Sequence, residues 1–240
     1  MTDWQIFHYN TVGSTNDTAK EYSQTATDSF VITADKQTAG RGRRGRSWVS
    51  LDGNLFFSVG LKFELKNLGR LVLLSSLSLL QTIKSLNLNA DVKLKWPNDV
   101  LLNGAKVSGM LLEKGAGDFM VVGIGVNIKH SPDSAQMLYK TTSLHAAGIE
   151  TSKENFLNLF LQKLSENLDL QQQNGADFVR LKWLEYAKGL NEEIVVCQEN
   201  IKSKGIFTGI DENAALLLNT DQGLTKILVG DVFYMSDKDE

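Results

Sequence analysis

The pattern of hydrophobic and polar positions over the first 130 residues predicts a chain of strands interrupted by two helices. Runs rich in β-branched, aromatic and leucine side chains predict strands at 30–34, 54–63, 91–96, 100–102, 106–113 and 119–128. Asn103-Gly104 lies between two of these runs. This pair predicts a tight hairpin, because both residue types tolerate the positive φ that such turns need.

Helical spacing is found in three places. Residues 14–24 predict a short helix capped by Ser14 or Thr15, whose side-chain oxygens can accept from the first-turn amides and can also face a ligand. Residues 68–86 predict a leucine-rich buried helix, too short in its apolar part (71–80) to span a bilayer. The amphipathic spacing that follows predicts helix over residues 141–188.

The pattern changes after Gly189. Short strands are predicted close together at 193–198, 201–210, 214–219, 224–229 and 232–234. Five short strands in so few residues indicate a small β-barrel appended to an α+β domain. The predicted domains are therefore residues 1–189 and 190–240.

Composition narrows the class of protein. A formal net charge of −3 over 240 residues gives no overall basic surface for nucleic acid. Cys197 is the single cysteine, which excludes an intrachain disulfide and a zinc site of several cysteines. The first residues have no basic stretch followed by an apolar run, so no secretory signal is expected. A cytoplasmic protein without a membrane span is predicted.

Four of the six arginines lie between Gly40 and Arg46, and Trp48 follows closely. Four permanent charges between three glycines are typical of a mobile loop that closes over an anion. Arginine forks bind phosphate or carboxylate oxygens, and glycines let backbone N–H groups approach them. The loop therefore predicts a site for a phosphate-bearing, nucleotide-like species, with Trp48 as a stacking surface.

Three further segments carry candidate chemistry. Lys95–Asp99 ends a strand with a lysine, an amide and a carboxylate around a proline, although Asn and Asp are also common at ordinary strand exits. Lys106 precedes Gly109 in a strand; a lone lysine is usually solvated, but a glycine there often marks close approach of a ligand. Asn127 ends an apolar strand and needs a polar partner.

Together, these motifs closely resemble the biotin protein ligase family, in the family's order and at similar spacing. The matching segments are residues 13–16, 37–46 with Trp48, 95–99, 106–113 and 123–127. The resemblance implies a class II synthetase-like catalytic domain, a mixed β-sheet with helices packed on it, followed by the small barrel.

The activity implied by the resemblance is a two-step ligation. Biotin and ATP, with Mg²⁺, would give biotinyl-5′-AMP and pyrophosphate. A lysine of a biotin carboxyl carrier protein, such as that of acetyl-CoA carboxylase, would then attack the mixed anhydride. Because the biotin carboxylate and the ATP phosphates repel each other, cations are needed between them.

Residue roles carry over from the family by position. Arg43 and Lys106 would be catalytic. Asp99 would also hold Mg²⁺. The biotin-binding set would be Ser14, Thr15, Asn16, Gln37, Gly40, Arg41, Gly42, Arg43, Lys106 and Gly109. The ATP-binding set would be Arg41, Arg44, Trp48, Asn98, Asp99 and Asn127.

The resemblance also sets expectations about partners. Some relatives carry an N-terminal DNA-binding domain; here the first motif appears by Ser14, so a short form without sequence-specific DNA binding is expected. Relatives can pair edge to edge, so both monomer and homodimer fit. Three alternatives stay open: a lipoate or octanoyl transferase, a nucleic-acid contact through the arginine loop, and a ligase-like binding protein without turnover.

Overall fold

A computed structural model describes residues 3–64, 68–137, 139–199 and 201–234. It contains a seven-stranded mixed sheet with helices packed on it and a five-stranded antiparallel sheet near the C-terminus. This arrangement confirms the predicted α+β class, with the smaller all-β unit following the larger one.

The large sheet has the strand order β1-β2-β3-β7-β6-β5-β4. β1 pairs with β2 in parallel, and the other neighbouring strands pair antiparallel. The strands are β1 (Gln5–Val12), β2 (Phe30–Gln37), β3 (Leu55–Lys62), β4 (Val92–Lys95), β5 (Asp99–Leu102), β6 (Ala105–Lys114) and β7 (Phe119–Val126). The turn between β5 and β6 has positive φ at Asn103 and Gly104, as the hairpin prediction requires.

The helices are α1 (Thr15–Tyr22), α2 (Leu68–Leu86), α3 (Lys153–Asn174) and α4 (Ala176–Leu184). α2 is buried although serines interrupt its apolar run. The Ser75 and Ser78 hydroxyls donate to the carbonyls of Leu71 and Leu74 one turn earlier, so their polar groups are satisfied within the helix. Among the described residues, no helix combines the length and apolar character needed to cross a membrane.

The central strands of the large sheet are buried on both faces. On one face, Phe57 of β3 packs edge-on against Phe160 of α3, with ring centroids 5.1 Å apart. On the other face, α1 covers a smaller cluster that includes Ala19, Phe30 and Val121. Burial on both faces explains why the sequences of β3 and β7 are almost continuously apolar and do not alternate between apolar and polar residues.

The C-terminal sheet has the order β11-β10-β9-β8-β12. Its strands are β8 (Glu193–Gln198), β9 (Ile201–Ile210), β10 (Leu216–Thr220), β11 (Gly223–Ile227) and β12 (Asp231–Tyr234). These five strands correspond to the five predicted from the sequence. The proposed domain boundary at residue 190 stays a prediction.

The structure corrects one prediction from the sequence and adds one strand that was not predicted. The helix over 141–188 was too long, because residues 141–152 contain no α-helix. The Thr142 and Leu144 amides instead donate to the carbonyls of Lys106 and Asn127, both at 2.9 Å, which ties this segment to the sheet. The exposed, polar edge strand β1 was not predicted, since its outward residues give no apolar alternation.

Candidate functional site

A cavity of about 380 Å³ lies between the large sheet and the start of β12. Its lining includes most of the residues singled out by sequence. These are Ser14, Thr15, Asn16, Gln37, Arg41, Gly42, Arg43, Trp48, Asn98, Asp99, Lys106, Gly109 and Asn127. Gly40 and Arg44 lie outside the lining. Arg43 and Lys106, which come from separate loops and strands, border the same space.

Buried polar groups at the start of α1 form one wall of the cavity. Ser14, Thr15 and Asn16 each expose 4% or less of their surface. Ser14 occupies the N-cap position but makes no side-chain capping bond, contrary to the simplest interpretation of the sequence. Instead, Gln37 at the end of β2 accepts from the Thr15 N–H at 2.9 Å. This wall therefore presents several donors and acceptors close together.

The arginine-rich loop between β2 and β3 forms a compact turn. The Gly42 N–H donates to the Arg46 carbonyl at 2.6 Å. Between them, Arg44 and Gly45 have φ of 56° and 73°. Glycine adopts this left-handed region freely, whereas an arginine does so at some cost. The guanidinium groups carried by this turn have different partners.

Arg41 fastens the loop to the large sheet. Its guanidinium donates to both carboxylate oxygens of Asp17, at 2.6 and 2.7 Å, and to Glu113 at 3.3 Å. Lys20 also pairs with both acids. The hydrogen bond from Arg41 is the main reason that the pKa of Asp17 lies far below its usual value. Arg41 is thus engaged by α1 and β6 at the rim of the cavity.

Arg43 projects into the cavity. Its Nη1 donates to Asn98 Oδ1 at 3.0 Å, and Asn98 Nδ2 in turn donates to the Met110 carbonyl at 2.5 Å. Burial lowers the pKa of Arg43, although the guanidinium remains charged at neutral pH. A half-desolvated cation without a direct carboxylate partner among the described residues is well suited to bind an anion.

Asp231, at the start of β12, holds the other end of the turn. Its two oxygens accept from Arg44 at 3.0 Å and from Arg46 at 2.7 Å. Burial would raise the pKa of Asp231, but the nearby arginines, Arg46 foremost, bring it below the usual range, so the pairs persist at neutral pH. No role could be predicted for Asp231 from the sequence, because its partners lie 185 and 187 positions away.

Replacing Asp231 with asparagine is expected to free the loop from the C-terminal sheet. Both arginine pairs would lose their charge partner, so trypsin should cut after the loop arginines severalfold faster. Limited proteolysis followed by mass spectrometry measures this rate. Asp177→Asn is the control, because it removes an exposed carboxylate partner of Arg180 on α4, away from the loop. Equal cleavage of the loop in both variants would show that Asp231 does not restrain it.

Lys106 and Asp99 form an ion pair inside the cavity. Lys106 Nζ lies 2.7 Å from Asp99 Oδ1, and Asp99 exposes 8% of its surface. The hairpin of β5 and β6 brings them together, since Asp99 pairs with Gly109 and the register shifts by one residue before Lys106. The pair places one positive and one negative group where charged ligand groups can compete for them.

Trp48 packs closely against two glycines of the sheet. A Cβ at Gly125 would overlap the Trp48 indole, and one at Gly109 would press on both Trp48 and Lys106. Within the described chain, Trp48 Nε1 and Asn127 Oδ1 are buried without a hydrogen-bond partner. Buried polar atoms of this kind generally have partners, which indicates that a ligand supplies them.

Lys95 and Tyr139 are lining residues with no role assigned from the sequence. Lys95 Nζ lies 3.3 Å from the centroid of the Tyr139 ring, and Lys95 exposes 5% of its surface. Burial raises the pKa of Tyr139, so its hydroxyl is neutral at physiological pH. Together they add a buried cation and an aromatic ring to the cavity wall.

Comparison with known families covers both sheets. The model of the biotin/lipoate A/B protein ligase family matches residues 9–128, which include most of the cavity lining. The model of the biotin protein ligase C-terminal domain matches residues 189–235, which include the whole second sheet.

Individual relatives agree with these matches. The biotin–acetyl-CoA-carboxylase ligase of Paracoccus denitrificans is 35% identical over 233 residues, covering 92% of this chain and 97% of that protein. The bifunctional ligase/repressor BirA of Bacillus subtilis is 31% identical over 95% of this chain and 73% of its own length. The biotin protein ligase of Aquifex aeolicus, solved with biotin and ATP, superposes with a TM-score of 0.83 at 32% identity, covering 95% and 97% of the two chains. This chain therefore belongs to the biotin protein ligases, within the biotin/lipoate A/B protein ligase family.

Proposed function

We propose that this enzyme joins biotin to a carrier protein in two steps. A biotin carboxylate oxygen attacks the α-phosphorus of ATP. The bond between the α-phosphorus and the oxygen that bridges to the β-phosphorus breaks, and pyrophosphate leaves. The neutral amine of an acceptor lysine then attacks the acyl carbon, AMP leaves, and the amine loses a proton. The observation that carries this proposal is that one cavity combines a buried amide-and-hydroxyl wall with two cations from separate segments.

The buried polar wall suits the ureido ring of biotin. Thr15, Asn16 and Gln37 offer amide and hydroxyl groups, and a ureido group has both N–H donors and a carbonyl acceptor. Ser14, at the start of α1, and Gly42, with the other predicted biotin-binding residues of the loop, are assigned to biotin as well. Gly40 lies outside the lining and supports the loop there, because a Cβ at this position would press on the Trp48 carbonyl.

Lys106 and Arg43 are the proposed catalytic cations. Positive groups fixed before the reaction lower the repulsion between carboxylate and phosphate and stabilise the charge that develops during attack. Lys106 can exchange its bond to Asp99 for a ligand oxygen without leaving the cavity. Arg43 lies on the turn that borders the cavity, where it also shields the mixed anhydride from water.

The remaining polar groups suit the nucleotide. Trp48 would cover the adenine, and Asn98 and Asn127 would bind ATP. Asp99 and the unpaired oxygen of Asn127 would hold Mg²⁺ together with the phosphates, since Mg²⁺ often takes one or two carboxylates and completes its shell with phosphate and water. The ion would neutralise phosphate charge. The predicted ATP contacts of Arg41 and Arg44 would require them to exchange their present carboxylate partners.

The acceptor follows from the relatives. The proteins of Paracoccus denitrificans and Mycobacterium tuberculosis that this chain resembles are named ligases of acetyl-CoA carboxylase. We therefore assign a biotin carboxyl carrier domain as the protein substrate. Cytoplasmic location, homodimer formation and the absence of specific nucleic-acid binding stay predictions.

Exchange of labelled pyrophosphate into ATP tests the first step. We expect exchange that depends on biotin and is not supported by lipoate, because an apolar acyl chain leaves the polar wall unpaired. Addition of a carrier domain should then consume the adenylate and label one lysine. If lipoate supported the exchange instead, the protein would be a lipoate ligase. If the protein bound biotin but formed no adenylate and supported no exchange, it would be a biotin-binding protein without turnover.

A further inference from the structure

A buried hydroxyl behind the polar wall links two of its members. Ser58 lies in the middle of β3, exposes none of its surface and does not line the cavity. Its Oγ lies 2.7 Å from Asn16 Oδ1 and 2.8 Å from Thr15 Oγ1. Because both distances are those of good O–H···O bonds, Ser58 is hydrogen-bonded to both cavity residues at once.

The orientation of Asn16 is fixed from outside the cavity. Its Nδ2 lies 2.7 Å from Glu113 Oε2 and 3.2 Å from the Leu111 carbonyl, both of which can only accept. The amide oxygen therefore faces Ser58. Gly123 leaves room for this arrangement, since a Cβ there would overlap the Asn16 amide.

Proton counting then determines the direction of the chain. Ser58 has one proton, and Asn16 Oδ1 can only accept, so the Ser58 hydroxyl donates to Asn16. The 2.8 Å contact between the two hydroxyls then takes the Thr15 proton, for which Gln37 Oε1 at 3.2 Å is a second and longer acceptor. The Gln37 amide oxygen keeps the Thr15 N–H as its donor at 2.9 Å. The Thr15 hydroxyl is thus directed into the protein, and its lone pairs face the cavity.

We propose that Ser58 is a positioning residue that fixes the Thr15 hydroxyl as an acceptor for the ureido N–H of biotin. The chain of bonds runs from Thr15 through Ser58 and Asn16 to the Glu113 carboxylate, which Lys20 and Arg41 hold ionised. Burial would raise the pKa of Glu113, but its Asn16 and Lys20 partners lower it overall. This inference rests on the proposed function, because it names the ligand group that Thr15 receives.

Removal of the hydroxyl is the direct test. In Ser58→Ala the Thr15 proton loses its shorter contact, and in Ser58→Cys it meets a poorer acceptor. The 3.2 Å contact to Gln37 Oε1 remains, so the hydroxyl is held less firmly with its lone pairs toward the cavity. We expect the KM for biotin in pyrophosphate exchange to rise about tenfold in both variants. The KM for ATP and kcat at saturating biotin should stay within about twofold, because Ser58 touches neither the cations nor the nucleotide groups.

Ser75→Ala provides the matched control. Ser75 is equally buried and also donates one hydrogen bond, but to the Leu71 carbonyl within α2. This variant should leave all three kinetic constants unchanged. A second check is Thr15→Val combined with Ser58→Ala: the double variant should raise the KM for biotin by less than the product of the single effects, because both remove the same bond.

The outcomes separate the two proposals. A wild-type enzyme without biotin-dependent exchange would overturn the proposed function, and this inference with it. An active wild type with an unchanged KM for biotin in Ser58→Ala and Ser58→Cys would overturn this inference alone. So would a parallel loss of kcat and of both KM values together with a lower Tm, since that pattern reports general damage rather than a misdirected Thr15 hydroxyl.

Discussion

Replacing Lys106 with alanine is expected to slow biotin-dependent pyrophosphate release about a hundredfold or more, the usual cost of removing one fixed charge-stabilising group from a transition state. Lys106 is the cation on β6 that borders the cavity beside Trp48, with Nζ 5.6 Å from the indole ring centroid. Single-turnover measurement of pyrophosphate release reports this step without the later transfer to the carrier.

The Lys106→Ala variant also breaks the ion pair with Asp99, so a loss of stability is expected beside the loss of activity. Without Lys106, a carboxylate that is 8% exposed loses its partner, which costs stability as well as activity. Lys106→Met combined with Asp99→Asn removes both charges. We expect this double variant to be closer to wild type in its free energy of unfolding than Lys106→Met alone, while remaining inactive. Thermal unfolding and pyrophosphate release then separate the two effects.

Lys114→Ala is the matched control for Lys106→Ala. Both lysines lie on β6, but Lys114 is exposed at the far end and donates to the Gly117 carbonyl. The Lys114→Ala variant should leave the rate of pyrophosphate release unchanged. A normal rate in Lys106→Ala would rule out the proposed catalytic role, whatever its effect on stability.

Local chemistry made part of this molecule predictable. The Asn103-Gly104 pair correctly predicted the β5–β6 hairpin, and the leucine-rich run correctly predicted α2. The serines in that run fit inside a buried helix because a hydroxyl such as that of Ser75 donates to a backbone carbonyl one turn earlier. The arginine-glycine turn was predicted to contact a ligand because charged residues among glycines have few other uses, whereas the role predicted for Lys106 came from the family resemblance; both border the cavity. In each case the signal lies within a few neighbouring residues, where steric and hydrogen-bonding rules act directly.

Features that depend on distant partners could not be derived in this way. Ser58 is one polar residue in an apolar strand, and its importance depends on Thr15 and Asn16, more than forty positions earlier, which only the packing of α1 on β3 brings into contact. Asp231 similarly has no neighbour that marks it. The helix was predicted from residue 141 although its amphipathic spacing begins only at Phe156; Leu144 and Ile149 are buried in the core cluster outside any α-helix.

Arg43 is the second residue whose loss should have a large effect, and the structure makes the test sharper than the sequence did. The turn that carries it is fastened at both ends without Arg43, by Arg41 to Asp17 and by Arg46 to Asp231. Arg43→Ala should therefore remove a cation from the cavity while leaving the loop in place. Its Tm should stay close to that of wild type, because a surface turn contributes little to the core.

The expected result for Arg43→Ala is severely weakened biotin binding, or release of biotinyl-5′-AMP that wild type retains, by about a hundredfold in either measurement. Adenylate retention is measured by rapid filtration after one turnover, and biotin affinity by calorimetry. Arg180→Ala, which removes a half-buried guanidinium outside the cavity from its i,i+3 pair with Asp177, serves as the control. If Arg43→Ala kept both its biotin affinity and its adenylate, the positive charge in this cavity would have to come from another lining cation such as Lys106, and Arg43 would serve only as a hydrogen-bond donor to Asn98.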